Sequence, residues 1–182
     1  MKSIYIAIIF VLTSITIYAQ NYQLDLKNSA ANWKGYGEIG NFSQSGTISF
    51  NSGSIVLDDE SLVNGEIEIN MLSISCEDKK LAKHLKAKDF FDVKKYQTAS
   101  FKMNKIKNDV VYGILTMKGI SQEINFPITF KNKLDKITLT GKAIIDRTKF
   151  NIKYNSSSYF QDLGSYAIKN DVDFAFNLVF IK

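Results

Sequence analysis

The chain has 182 residues, of which 45% are hydrophobic and 13% aromatic, so it suits one folded globular domain and is neither disordered nor collagen-like. The net charge of +5 is spread along the sequence and Arg147 is the only arginine, which argues against nucleic-acid binding, where arginine forks are the usual readers. The single cysteine, Cys76, excludes an internal disulfide, so the core must hold the fold.

The N-terminal residues predict a cleaved signal peptide. Met1-Lys2-Ser3 is a short positive start, residues 4–18 form an apolar run broken only by small hydroxyl residues, and the small Ala19 precedes the polar residues 20–21. The apolar run is shorter than the ~20 residues of a comfortable membrane span, so export is favoured over an uncleaved anchor. We therefore expect residues 1–19 to be removed and residues 20–182 to form one domain in the periplasm or outside the cell, without stable membrane insertion.

Alternation of apolar and polar residues indicates an all-β domain. It is clearest in residues 171–180, and it recurs in residues 31–37, 47–50, 66–71, 101–104, 110–118, 123–130 and 137–145. Turn-like stretches at residues 51–53, 108–109 and 118–119 separate some of these segments. Eight antiparallel strands with one apolar face predict a closed up-and-down barrel, which leaves no exposed sheet edge.

Two segments depart from this pattern. Residues 77–92 carry Leu81 and Leu85 at helical spacing among lysines, which predicts one short α-helix near residues 78–88 that packs across a barrel end. Residues 147–166 are rich in Asn, Ser and Tyr and predict a long surface loop. Loops of this length in a compact domain are usually functional or covering elements.

Three motifs resemble those of the YceI-like family of polyisoprenoid-binding proteins. They are HLKAKDFFDVKKY at residues 84–96 followed by ASF at 99–101, GILTMKGIS at 113–121, and DRTKF at 146–150. The chain departs from the family pattern at Gln97, where a proline is usual, and at Ala87-Lys88, where a serine is usual. The resemblance implies a lipocalin-like antiparallel barrel, export, and a long isoprenoid chain or similar amphiphile in the pore.

The inward faces of the predicted strands are almost free of polar groups, as a pore for a hydrophobic chain requires, although a barrel filled by its own side chains would show the same pattern. The predicted pore-lining residues are Ile67, Ile69, Met71, Phe101, Met103, Phe126, Ile128, Phe130, Leu139, Ala143, Val172, Phe174, Phe176 and Leu178. The segment predicted to close or gate one end contains Leu81, His84, Leu85, Phe90 and Phe91.

The chain offers little for catalysis or metal binding. His84 is the only histidine, with no partner acid and nucleophile evident, and its separation from Cys76 matches no zinc spacing. We interpret His84 as a packing or capping residue, Cys76 as a half-buried thiol at a strand end, and residues 58–60 (Asp-Asp-Glu) as a solvated hairpin tip. The sequence therefore predicts neither an enzyme nor a metal site.

Arg147 has two interpretations. It could pair with the adjacent Asp146 and hold the base of the loop, or its guanidinium could contact the phosphate head group of a ligand. The first is favoured, because pairing of Asp and Arg at turns is common.

These observations favour an exported protein that holds a polyisoprenoid, or a similar lipid or quinone, for sequestration or transport, with no cofactor other than such a bound lipid. The alternative is a filled barrel that acts through its outer surface and the 147–166 loop. An enzyme of isoprenoid metabolism is the least favoured hypothesis. A homodimer is compatible with both the lipid-binding hypothesis and the filled-barrel hypothesis.

Overall fold

The structure, a computed structural model, describes residues 19–58, 61–133 and 135–182. Residues 1–18 of the predicted signal peptide lie outside this range, as do Asp59 and Glu60 of the predicted hairpin tip. The strands are β1 (Gln20–Leu24), β2 (Ala30–Tyr36), β3 (Ser43–Asp58), β4 (Ser61–Cys76), β5 (Thr98–Lys107), β6 (Val110–Met117), β7 (Ile120–Lys133), β8 (Lys136–Asp146) and β9 (Asp171–Ile181). The helix α1 spans Lys79–Leu85, and two short 3₁₀ helices span Arg147–Phe150 and Gly164–Tyr166.

These nine segments form a closed eight-stranded antiparallel barrel, as the sequence predicts. β1 and β2 occupy one position in the wall, because both pair with β3 on one side and with β9 on the other. From β9 the wall continues through β8, β7, β6, β5 and β4, and the pairing of β4 with β3 closes it. Neighbouring strands therefore pair around the whole circumference, and none of the nine described strands is left at an open edge.

Two local predictions about the strands need correction. β1 was not predicted, because its five residues are too few to show a clear alternation. The predicted turn at residues 51–53 is wrong, since these residues continue β3 through a bulge between Phe50 and Ser52. Gly53 serves close packing there: a Cβ atom at this position would lie 2.7 Å from Cδ1 of Ile67.

The other two predicted turns are confirmed. Asn108 and Asp109 join β5 to β6 with φ angles of 51° and 58°, and Lys118 and Gly119 join β6 to β7 with φ angles of 52° and 72°. Left-handed backbone at both central residues matches the twist of a hairpin, and Asn, Asp and Gly tolerate it best.

The predicted α-helix is present and shorter than expected. Its N-cap is Asp78, whose carboxylate accepts hydrogen bonds from the backbone N–H groups of Lys80 and Leu81 at 2.8 and 3.1 Å. It ends at Leu85, where the N–H of Phe91 bonds back to the Leu85 carbonyl at 3.1 Å and folds the chain over the barrel. Among the described residues, no helix combines the length and the hydrophobicity needed to cross a membrane.

The two ends of the barrel differ in what covers them. At the end that we call the helix end lie α1, the β2–β3 loop (residues 37–42), the β6–β7 turn and the long β8–β9 connection (residues 147–170). At the opposite end, β5 joins β6 and β7 joins β8 through short connections.

Candidate functional site

A cavity of about 400 Å³ lies inside the barrel and is lined almost entirely by apolar side chains. Its walls come from the strands on every side, and the helix end contributes Leu81, Leu85, Phe90 and Phe91 from α1 and the turn after it. This volume falls within the range of pockets that hold small molecules, and it exceeds the water-sized voids of an ordinary core. The barrel is therefore not completely filled by its own side chains.

Glycines in the wall help to leave this space. Gly113 and Gly141 lie beside the rings of Phe101 and Phe176, and a Cβ atom would come within 2.4 and 2.6 Å of the respective ring Cζ atoms. The rings can therefore lie against the wall. Phe126 lies between them, with ring centroids 5.2 Å from Phe101 and 5.6 Å from Phe176, distances at which aromatic pairs attract.

The structure places nearly all of the predicted pore residues around this cavity. Every member of the predicted pore-lining set lines it except Phe130, which packs against the core. Of the predicted gate, His84 does not line the cavity whereas the other four residues do. Contact of these residues with a ligand stays a prediction.

Sequence reasoning left out several residues that line the cavity. They include Trp33, Ile48, Phe50, Leu115 and Met117. The alternation of β6 and of residues 47–50 carried the necessary signal, because inward residues of a barrel strand face the same interior. Trp33 is also fixed by its indole N–H, which donates to the Ser75 carbonyl at 3.2 Å.

His84 fastens the turn after α1 to the β8–β9 connection. Its Nε2 lies 2.6 Å from a carboxylate oxygen of Asp89, and its ring meets those of Phe90 and Tyr154 edge-on at centroid distances of 5.1 and 4.6 Å. Nearby, the Lys118 ammonium donates to the Phe90 carbonyl at 2.6 Å. Burial lowers the pKa of Lys118. These contacts agree with a packing role for His84. They also identify Asp89 as its acidic partner, which the sequence analysis did not predict.

Arg147 holds the base of the β8–β9 connection through backbone carbonyls. The side chain is only 4% exposed and lines the helix end of the cavity. Nε donates to the Lys169 carbonyl at 3.1 Å, Nη1 to that of Ile152 at 2.8 Å, and Nη2 to that of Ile168 at 3.0 Å. Burial lowers the pKa of the guanidinium, and the carboxylates of Asp146 and Glu38 oppose this shift.

The predicted partner of Arg147 was wrong in detail. Asp146 is instead the N-cap of the first 3₁₀ helix, and its Oδ1 accepts from the backbone N–H and the hydroxyl of Thr148 at 3.0 and 2.6 Å. An aspartate at this position satisfies the free N–H groups of the helix start, so it is better placed for capping than for pairing with its neighbour.

Cys76 is a half-buried thiol at the end of β4, as the sequence suggested. Its Sγ lies 3.2 Å from the Asp78 carbonyl, and burial raises the pKa of the thiol. A raised pKa keeps the sulfur protonated and poorly nucleophilic.

Comparison with known proteins gives a consistent picture. The family model described as YceI-like domain matches residues 22–180. A UPF0312 protein of Staphylococcus aureus strain bovine RF122 is 32% identical over 98 residues, which cover 50% of this chain and 56% of the relative. The UPF0312 protein of strain USA300 is 29% identical over 125 residues, 65% of this chain and 71% of the relative. The chain thus aligns with little more than half the length of the first relative.

Solved structures share the fold. Burkholderia cenocepacia BcnA superposes with a TM-score of 0.70 at 24% identity, covering 86% of this chain and 98% of BcnA. A polyisoprenoid binding domain from Saccharophagus degradans, implicated in plant cell wall breakdown, gives 0.71 at 13% identity, with 88% and 97% covered. The Campylobacter jejuni YceI protein gives 0.59 at 22% identity, with 80% and 87% covered. At these identities the likeness establishes the barrel architecture.

Proposed function

The chain belongs to the family of YceI-like domains, and from this premise we propose that it is an exported protein that binds a long hydrophobic ligand inside its barrel. The ligand class is a polyisoprenoid or a similar lipid or quinone, held for sequestration or transport. The observation that carries the proposal is the apolar cavity of about 400 Å³. The polyisoprenoid binding domain from Saccharophagus degradans, which has the same fold, supports this choice of ligand class.

The energetics favour an apolar chain as occupant. Each buried CH₂ group contributes ~0.8 kcal/mol, so a chain of about ten carbons gains on the order of 8 kcal/mol before the cost of ordering it. A polar ligand would need several convergent polar groups, and Arg147 already donates to three backbone carbonyls. Binding also fits this interior better than catalysis does, since His84 pairs with Asp89 away from the cavity lining.

The proposal of export rests on the N-terminal sequence, where the apolar run ends at Ala19. N-terminal sequencing of protein recovered from outside the cytoplasm should find a first residue at or next to Gln20. A mature protein that still begins at Met1 would contradict the export proposal and leave the binding proposal standing.

The binding proposal is tested by extracting natively purified protein with organic solvent and identifying the extract by mass spectrometry. The expected result is a stoichiometric hydrophobic chain. Trp33, the only tryptophan, lines the cavity and provides a second measurement. Energy transfer from Trp33 to a dansyl-labelled geranylgeranyl chain should saturate at one chain per protein, and unlabelled chain should reverse it. An empty extract together with no saturable transfer would leave the filled barrel as the better account.

A further inference from the structure

Exposed aromatic side chains gather at the helix end of the barrel. Among the described residues, the exposed large hydrophobic side chains include four aromatic ones, Phe42, Tyr159, Phe160 and Tyr166, which are 61%, 49%, 51% and 77% exposed. All four lie in the β2–β3 loop or the β8–β9 connection, and Ile39, 61% exposed, lies beside Phe42 in the same loop. We call these five residues the rim patch.

Specific contacts hold the two loops of the rim patch side by side. The Ser157 hydroxyl lies 2.6 and 2.7 Å from the two carboxylate oxygens of Glu38, and the Glu38 N–H donates to the Ala167 carbonyl at 2.9 Å. Gly37 and Ile168 form a β-bridge. These contacts bring the stretches around residues 39–42, 159–160 and 166 together. The exposed side chains therefore lie on two loops that are joined at one end of the barrel, and grouped exposed hydrophobic side chains mark sites of protein or membrane interaction.

The rim patch is continuous with the cavity. Phe42 lines the cavity although most of its side chain is exposed, so its ring extends from the barrel interior to the outer surface. Tyr36, Gly37 and Ile168, next to the rim patch in the chain, line the cavity as well. A hydrophobic chain that leaves the cavity at this end passes over the exposed rings of the rim patch.

Lysines accompany the tyrosines at this end. The Lys153 ammonium lies 4.3 Å from the ring centroid of Tyr159, and those of Lys34 and Lys169 lie 5.3 and 5.9 Å from that of Tyr36. Tyrosine rings prefer the headgroup level of a bilayer, and a lysine can bury its stem along apolar surface while its charge reaches a phosphate. The pairing of the exposed Tyr159 ring and the half-buried Tyr36 ring with lysines thus matches the interfacial zone of a membrane.

We propose that the rim patch docks on the surface of a lipid bilayer and that the hydrophobic ligand enters and leaves the cavity through it. This inference rests on the proposed function, because a water-insoluble ligand has to be exchanged with a membrane. A symmetric dimer through the same patch is the alternative occupant, and the test below separates it from docking on a bilayer.

The test uses two triple variants whose substitutions lie outside the cavity lining. The rim variant carries Ile39→Ser, Phe160→Ser and Tyr166→Ser, and it keeps Phe42 because that residue lines the cavity. The control variant carries three changes of the same kind away from the helix end, Leu26→Ser, Val63→Ser and Ile181→Ser, at side chains that are 49%, 46% and 43% exposed. Thermal melting of both variants establishes that they are folded.

Flotation with vesicles measures docking directly. The mature parent protein should float with vesicles of phosphatidylcholine and phosphatidylglycerol, and the rim variant should bind them at least about tenfold more weakly, because three apolar anchors are gone. The control variant should bind like the parent. Equal binding by all three proteins, or no binding by the parent, would overturn the inference. So would a parental dimer that the rim variant converts to a monomer while neither protein binds vesicles.

Transfer kinetics separate this inference from the proposed function. The same vesicles, loaded with a dansyl-labelled geranylgeranyl chain, should deliver it to the parent at a rate that rises with vesicle concentration, as collision requires. The rim variant should lose this dependence. If both proteins take up the chain from detergent but exchange it with vesicles at equal rates, docking is wrong and binding stands. If neither protein takes up the chain from detergent, the proposed function itself fails.

Discussion

The two ends of the barrel are held by different kinds of interaction. At the opposite end, the connections are short, and the strands pair with each other almost up to the turns. At the helix end, the long β8–β9 connection contains all three buried polar or charged residues of the described chain, Arg147, Thr148 and Ser156. Directional hydrogen bonds therefore position this cover, whereas mainly hydrophobic side chains of the strands surround the cavity.

This difference makes stability and ligand binding separable. Changes in the polar anchors of the helix end should loosen the cover and lower stability while the cavity wall stays intact. Changes on the inward faces of the strands should alter ligand occupancy more than stability, because one side of each such residue already faces empty space.

The largest loss of stability is expected for Arg147→Lys. Lysine cannot reproduce the guanidinium fork around the buried Ile152 carbonyl and the partly buried carbonyls of Ile168 and Lys169, so at least one of them loses its donor, and the free energy of unfolding should fall by about 2–4 kcal/mol. The melting temperature should drop by several degrees, and the affinity for the dansyl-labelled chain should stay near the parental value. Lys149→Gln is the matched control, because it removes an exposed charge from the same 3₁₀ helix.

The reverse result for the Arg147→Lys variant would assign a different role to this residue. Normal melting combined with lost binding of the labelled chain would assign Arg147 to a ligand head group, which was the alternative raised by the sequence.

A smaller loss is expected for Phe176→Ala in the cavity wall. Truncation of a phenylalanine in a filled core costs ~3–5 kcal/mol. The Phe176 ring borders the cavity and retains partners on one side, including Phe126 at 5.6 Å. We therefore expect denaturant unfolding of the stripped protein to show a loss of only about 1–2 kcal/mol, with reduced retention of the chain. A loss in the full range for a filled core would indicate that the barrel closes around its own side chains when empty.

Ala143→Phe should affect stability even less and occupancy strongly. In a filled core the added ring would cost ~1–3 kcal/mol, but here it can occupy part of the cavity that Ala143 lines. The stripped protein should melt within about 1 kcal/mol of the parent, and the energy-transfer signal from Trp33 should fall. Ile144→Phe is the matched control, since Ile144 is the next residue of β8 and is 62% exposed on the outer face. An Ala143→Phe variant that unfolds readily would contradict the presence of a cavity that can accommodate the added ring.

The wall of this molecule was more predictable than its cover. Alternation assigns the inward face of a strand such as β9 because side chains point to opposite sides with a period of two. The predicted lining residues followed from this, and all except Phe130 line the cavity, although the same signal was not used for Trp33, Phe50 and Leu115. The five residues of β1 are too few to show a clear alternation, and residues 51–53 pack closely at Gly53, which no local sequence pattern reveals.

The cover depends on contacts between residues that are distant in the sequence. Two of the carbonyls that Arg147 binds belong to Ile168 and Lys169, more than twenty residues further along the chain. Backbone carbonyl acceptors cannot be predicted from residue type, because every residue has one. The rim patch was hidden for a similar reason, since its members lie in loops without periodicity and only the fold brings the loops together.

The smallest effect on stability is expected from removing an ion pair at the helix end. An ion pair at the opposite end provides the comparison. The Asp173 carboxylate accepts from the Lys142 ammonium at 2.7 Å and from the Tyr36 hydroxyl at 2.6 Å. Both contacts, that of Lys142 first, hold the pKa of Asp173 below its ordinary value. At the opposite end, Lys182 lies 3.1 Å from Asp135, whose side chain is 78% exposed.

Because the folded pKa of Asp173 lies below the unfolded one, its contribution to stability is present above the unfolded pKa and is lost as the pH falls through the folded pKa. Asp173→Asn should therefore flatten the fall in melting temperature below about pH 4. At neutral pH it should cost well under ~1 kcal/mol, because the Lys142 side chain is 55% exposed and solvent screens the pair. Asp135→Asn, which removes a solvated pair at the opposite end, is the matched control. If the two variants reduce the fall in melting temperature at acid pH equally, the contacts of Asp173 stabilise the helix end no more than a solvated pair does.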